Sequence, residues 1–223
     1  MASANPGEAG RVRVGALVEA ALEAHGSAAH AYFGSDELLR GPNAARNLAD
    51  AVHFLCTLHG RHPGIVDLAA DRTAEPAARD WLARTAEAFA GERLYLTKLA
   101  VAAGPVPGTP GGSASEAAVV AQRAALATLG RSERRGCALG AAVGLAADWT
   151  RIRIVLDAAA RRLGVDPPPC SLSAFADVRA LAEGVSGSPP YERALLFGAE
   201  QVLIQHHGLW ALLEAREQAR RAN

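Results

Sequence analysis

A chain of 223 residues is long enough to bury one sizeable core, and its 23 Lys and Arg are matched by 23 Asp and Glu, for a formal net charge of zero. That balance argues against a nucleic-acid footprint and against a polybasic membrane anchor, both of which need an excess of positive charge. Ala is the commonest residue while Ile, Thr, Tyr and Phe are scarce, so the composition favours helix over sheet and predicts an all-α fold, a bundle of about five to seven helices in one domain spanning 11–221.

In chain order, residues 1–10 are small and polar, lack the charged-then-apolar pattern of a signal peptide, and are expected to form a frayed tail. A first helix is predicted over 12–33, then a short turn at 36–40 bracketed by Gly34-Ser35 and Gly41-Pro42, then a second helix over 43–59 that His62-Pro63-Gly64 stops. A short helix over 65–71 precedes a long one over 76–103, whose proline stands where a first turn tolerates it. Residues 104–112 hold three prolines and are expected to be the main surface loop. Beyond it come a helix over 113–129 opened by a Ser113–Glu116 capping box, another from Ser132 to about 163, a break at 164–171, a short helix over 171–183, and a C-terminal helix over 190–220. Uncharged runs such as 136–147 are too short to span ~30 Å of hydrocarbon, so no membrane span is expected. The three cysteines, Cys56, Cys137 and Cys170, form no CxxC and suit a reducing, cytoplasmic setting.

The C-terminal helix carries the residues most suggestive of chemistry. Its stretch 194–213 is apolar nearly all round and is expected to be central; Glu200 has Leu196, Phe197, Leu203 and Ile204 as its helical neighbours and no local Lys or Arg. An unpaired carboxylate there costs several kcal/mol or is neutralised, so Glu200 is expected to lie inside, paired with His59, His206 or a cation. His206 falls in the Val202, Leu209, Leu213 stripe and joins Glu200 as a candidate catalytic residue. In the second helix, Cys56 and His59 border the apolar stripe of Leu48, Val52, Leu55 and Leu58, whereas Asp50 and His53 turn outward and are expected to be solvated. Cys56, His59, His206, Glu200 and Asp148 form the candidate metal set, for a transition metal such as iron or zinc. Each also has a plain reading, Cys56 as a small packed hydrophobe and each His as a core residue satisfied by one hydrogen bond. Gly136, Gly140 and Gly144 line one helix face, which calls for the close approach of another backbone or of a flat ligand; Gly140 and Gly144 are therefore candidate cofactor contacts.

Glu23 followed by Asp50-x-x-His53 resembles the first half of a ferritin-like di-iron pattern, a carboxylate on one helix and a carboxylate-x-x-His on the next. The last helix lacks the matching Glu-x-x-His. In size, in a first-helix histidine (His25 or His30) and in the glycines 136–144, the chain is also similar to haem-oxygenase-like bundles, without their glycine-rich motif. Both resemblances imply a helical bundle and leave function open. Two readings follow. One is a helical-bundle protein with an internal His/carboxylate site, a metal-dependent oxidoreductase or cofactor binder acting on a small-molecule ligand. The other is a non-catalytic helical binding or interaction protein, in which buried polar groups only pair with one another.

Overall fold

The computed structural model describes residues 13–185 and 187–222, so the tail expected at 1–10 lies outside the described residues. Among the described residues all regular structure is helical: α1 Val14–His25, α2 Asp36–Leu39, α3 Ala44–His59, α4 Ile65–Arg72, α5 Pro76–Ala103, α6 Gly112–Gly130, α7 Cys137–Leu163, α8 Phe175–Gly184 and α9 Pro189–Arg221. None of these helices is long and apolar enough to cross a membrane.

Several expected boundaries move, and three of them have a local reason. The first helix ends at His25, and two 3-10 turns, Ser27–Ala29 and Ala31–Gly34, follow instead of a helix to residue 33. The Ser113–Glu116 box is absent: α6 starts at Gly112 behind Gly111, which is left-handed at φ 72° and offers no side-chain cap. The helix expected from Ser132 begins only at Cys137, after Gly136 at φ 93° has turned the chain.

The central helix is α7 rather than α9. Every residue from Cys137 to Trp149 is buried, and that stretch is mostly Ala and Gly, which lets neighbours come close on several sides. The C-terminal helix keeps an outer stripe, with Phe197 43% and Ile204 42% exposed. Between them the two long helices carry much of the core, including Val143, Leu145, Trp149, Ile152, Val202, Leu209 and Trp210. Leu48, Val52 and Leu55 of α3 join the same cluster, as the apolar stripe predicts.

Asp50 corrects the outward placement read from the wheel. It is 1% exposed and accepts from Arg216 at 2.9 and 3.1 Å and also from Arg220, so α3 is bolted to the end of α9 by a buried carboxylate between two guanidiniums. The same arginines donate to the Pro107 carbonyl at 3.0 Å and the Thr109 hydroxyl at 2.7 Å, tying the loop after α5 to this cluster. His53, one turn on, is half-buried, and its Nε2 is buried without a hydrogen-bond partner.

Candidate functional site

Glycine geometry explains how the site is assembled. At the end of α1 the chain turns extended at Gly26 (φ −67°, ψ 171°), where a Cβ would stand 2.4 Å from the Leu22 carbonyl oxygen and 3.1 Å from Asp148 Oδ1. Glycine in a helix interior costs up to ~1 kcal/mol relative to Ala, so the break is inexpensive, and it delivers both polar groups of Ser27 to Asp148. Across α7 and α9 the backbones touch. A Cβ on Gly140 would lie 1.9 Å from the Leu195 carbonyl oxygen, one on Gly144 2.7 Å from that of Ala199, and one on Gly198 2.1 Å from that of Cys137. Gly140 and Gly144 are thus helix-packing residues, and the cofactor role expected for them is corrected: no ligand fits between them and α9. This close approach brings Asp148, midway along α7, to His206 on α9.

The result is a buried polar chain. Asp148 accepts from the Ser27 amide at 3.0 and 3.1 Å, from the Ser27 hydroxyl at 2.6 Å, and from His206 Nδ1 at 2.7 Å. His206 Nε2 then lies 2.9 Å from His59 Nε2. Ser27, Asp148 and His206 have no exposed surface, and His59 is 5% exposed. Burial by itself would push the Asp148 carboxyl upward, but the hydrogen bonds and charge of His206 and the two donors of Ser27 outweigh it and hold its pKa below the ordinary value. Burial, reinforced by the neighbouring His206, pushes the His59 pKa well below that of a free imidazole. The carboxylate is therefore ionised and His59 neutral near pH 7.

Aromatic rings fix the outer histidine. His59 meets Trp149 edge-on with centroids 5.4 Å apart and Phe89 at 6.3 Å. Trp149 is itself held by donation of its indole N–H to Glu92 at 2.8 Å, and Glu92 is paired with Arg153 at 2.8 Å, inside the core. Consecutive residues of α7 thus serve the two ends of the chain, Asp148 orienting His206 and Trp149 orienting His59. His59 also lines a small cavity of about 40 Å³, with Arg61, Phe89 and Arg123 among the lining residues. That is room for roughly three waters.

Of the residues expected from the sequence, His59, His206 and Asp148 come together and Glu200 and Cys56 do not. Glu200 is half-exposed, and among the described residues no hydrogen bond or ion pair reaches it, which corrects its expected pairing with His59 or His206. Six positions along a helix turn a side chain by about 240°, so Glu200 leaves α9 on the side of Phe197 and Ile204 while His206 points inward. Cys56 packs half-buried against the core, its thiol pKa raised by burial, in the plain role of a small hydrophobe. Among the described residues no group of three or more His, Cys, Asp and Glu is placed to hold a metal ion. The geometry gives the reason: the two Nε2 atoms face one another, and Asp148 occupies the remaining nitrogen of His206, so both nitrogens of that ring are engaged. The residues of the di-iron likeness are also engaged elsewhere, Glu23 with Arg151 on the surface and Asp50 with Arg216 and Arg220.

Ser27 went unread in the sequence. The available signal was Gly26-Ser27 inside an Ala-rich helical stretch, since that dipeptide punctuates a helix. Consecutive histidines on α9 also part company: His207 turns to His30, ring centroids 4.7 Å apart, while His206 turns to His59. No curated protein and no solved structure matches the chain. Residues 22–221, nearly its whole length, match a family of unknown function, DUF6975, and the chain belongs to that family.

Proposed function

We propose that this protein is a single helical bundle that takes a small molecule against His59 and uses Ser27, Asp148, His206 and His59 as a buried proton relay, with His59 as general acid–base and the other three as positioning residues. The observation that carries the reading is the unbroken run of short contacts, 2.7 Å from Asp148 to His206 and 2.9 Å from His206 to His59, ending at a ring that lines a cavity.

The proton positions follow from the acceptors. An ionised carboxylate only accepts, so His206 Nδ1 carries a proton and donates to Asp148. One further proton is shared between the two Nε2 atoms. While it sits on His59, His206 is neutral and His59 Nδ1 is a bare lone pair, the form of a base. When Nδ1 takes a proton, the shared proton moves to His206, whose charge then lies against Asp148 rather than on His59. A ring whose own protonation is resisted by burial thereby takes a proton from a bound molecule by passing the charge inward, as a general base does during a reaction. Ser27 holds Asp148 so that it orients His206 rather than swinging to another donor.

Exchange of the imidazole C2 hydrogen with deuterium, followed residue by residue by mass spectrometry across pH, tests this. The rate profile turns over at each ring's pKa and requires access to water. His59 is expected to exchange, with a midpoint clearly below that of a free imidazole. A midpoint equal to that of a free imidazole, or no exchange at all at His59, overturns the reading.

A further inference from the structure

The cavity beside His59 has a chemical character of its own. Its walls are apolar, with Leu58, Ile65, Leu68, Phe89, Leu126 and Leu145, and among the described residues no acidic residue lines it. Two of its lining residues are arginines, Arg61 exposed and Arg123 half-buried, and among the described residues neither has a hydrogen bond or an ion pair. That sets Arg123 apart from other sheltered arginines of this chain: Arg93 is paired with Asp67, Arg153 with Glu92, and Arg216 and Arg220 with Asp50. The nearby carboxylate that might have served, Asp67, is already taken by the Gly64 amide at 2.8 Å, by Arg93 at 3.0 Å and by His62 at 3.3 Å. A guanidinium kept half out of water beside an apolar wall lacks the acceptor that its fork geometry fits.

We infer that this cavity binds a short-chain organic carboxylate, its carboxylate held by Arg123 and Arg61 and its apolar end set against Leu58, Leu126 and Phe89. The inference rests on the proposed role of His59 for its chemistry but not for binding. About 40 Å³ suits a molecule of a few heavy atoms, and two charged donors with an apolar wall select a carboxylate with a small tail over a neutral compound or a fully hydrated anion. Both forms of His59 leave Nδ1 to the ligand, as donor or as acceptor, so the ring completes the polar end of the site.

Calorimetric titration with propionate, with propionamide as the neutral isostere, and with inorganic phosphate is the test. Propionate is expected to bind at a Kd on the order of 1 mM, a size-limited affinity. Propionamide and phosphate should bind at least roughly tenfold more weakly. Arg123→Gln should weaken propionate roughly tenfold or more, the worth of one charged hydrogen bond; Arg123 has no hydrogen bond or ion pair among the described residues, so the variant should melt as the parent does. Glu23→Gln, at an exposed carboxylate outside the cavity lining, should bind propionate as the parent does. Failure of propionate to bind the parent, equal binding of propionamide, tighter binding of phosphate, or undiminished binding in Arg123→Gln overturns the inference, and each leaves the relay standing. Propionate bound with an ordinary C2-exchange midpoint at His59 would instead retain the site and remove the relay.

Discussion

Replacing Asp148 by Asn changes one oxygen to an NH₂ and should be costly out of proportion to that change. In the parent, Oδ2 accepts from His206 and the Ser27 hydroxyl, and the Ser27 amide is shared between Oδ1 and Oδ2. An asparagine can keep its oxygen toward His206, but its NH₂ then faces the Ser27 amide, donor against donor, at a site with no exposed surface. The reverse flip sets the NH₂ against His206 Nδ1–H. Either way one buried donor is orphaned, for about 1–3 kcal/mol, and the remaining hydrogen bonds lose the carboxylate charge that strengthened them. A total near 3 kcal/mol follows, one orphaned buried donor plus the weakened charge-assisted bonds. For a chain of this size, roughly 2–4 °C of melting temperature accompanies each kcal/mol, so differential scanning calorimetry at pH 7.5 should show a fall of roughly 6–12 °C. Glu23→Gln, which removes an exposed partner of Arg151, is the control and should cost no more than about 0.5 kcal/mol. A drop of less than about 2 °C for Asp148→Asn would refute the reasoning, because it would mean that the carboxylate is not the anchor of the chain.

The pH dependence of stability has a definite sign. His59 stays neutral in the fold and takes a proton when unfolded, so the unfolded chain binds more protons and stability falls as pH drops below about 6.5, by up to ~1.4 kcal/mol per pH unit for this ring. Chemical denaturation between pH 7.5 and 5.5 should therefore show a shallower slope for His59→Gln than for the parent. The Asp148 contribution is complete above the ordinary carboxyl pKa near 3.8 and is lost as pH falls through its lower folded value, so it plays no part in that window. Glycine substitutions should split by location: Gly140→Ala drives a Cβ into the Leu195 carbonyl and should cost about 3 kcal/mol or abolish folding, whereas Gly91→Ala, exposed within α5 with nothing within 4 Å, should stabilise by roughly 0.5–1 kcal/mol, both read from denaturant midpoints.

How much of this was legible depended on whether the deciding neighbour was local. Helix ends marked by Pro and Gly, such as Pro76, Gly104 and Gly164, fall close to where the sequence places them, because backbone restriction acts on the residue itself. The contact of α7 with α9 was half legible: Gly136, Gly140 and Gly144 announce a close approach without saying whether a helix or a ligand makes it. Asp50 and Glu200 were misplaced for complementary reasons. A wheel sees one helix at a time, and α3 packs against α5, α6, α7 and α9, so the face opposite its apolar stripe is covered too, by arginines 166 and 170 residues away. Glu200 was assigned to a central helix, but α9 keeps one stripe in water, and its apolar neighbours Phe197 and Ile204 share that stripe. His206 and His59 were legible as polar residues stranded in apolar stripes, and Asp148 as the first charge after an uncharged run. Their meeting was not, since 58 residues separate Asp148 from His206 and 147 separate the two histidines.

The shared proton itself is the most direct test. With uniformly ¹⁵N-labelled histidine, nuclear magnetic resonance can detect a scalar coupling between the two nitrogens on either side of an N–H···N hydrogen bond. A coupling between His59 Nε2 and His206 Nε2 is predicted, together with a strongly deshielded proton on His206 Nδ1 that disappears or moves far upfield in Asp148→Asn. Absence of that coupling in the folded parent, with no strongly deshielded proton on His206 Nδ1, would contradict the relay.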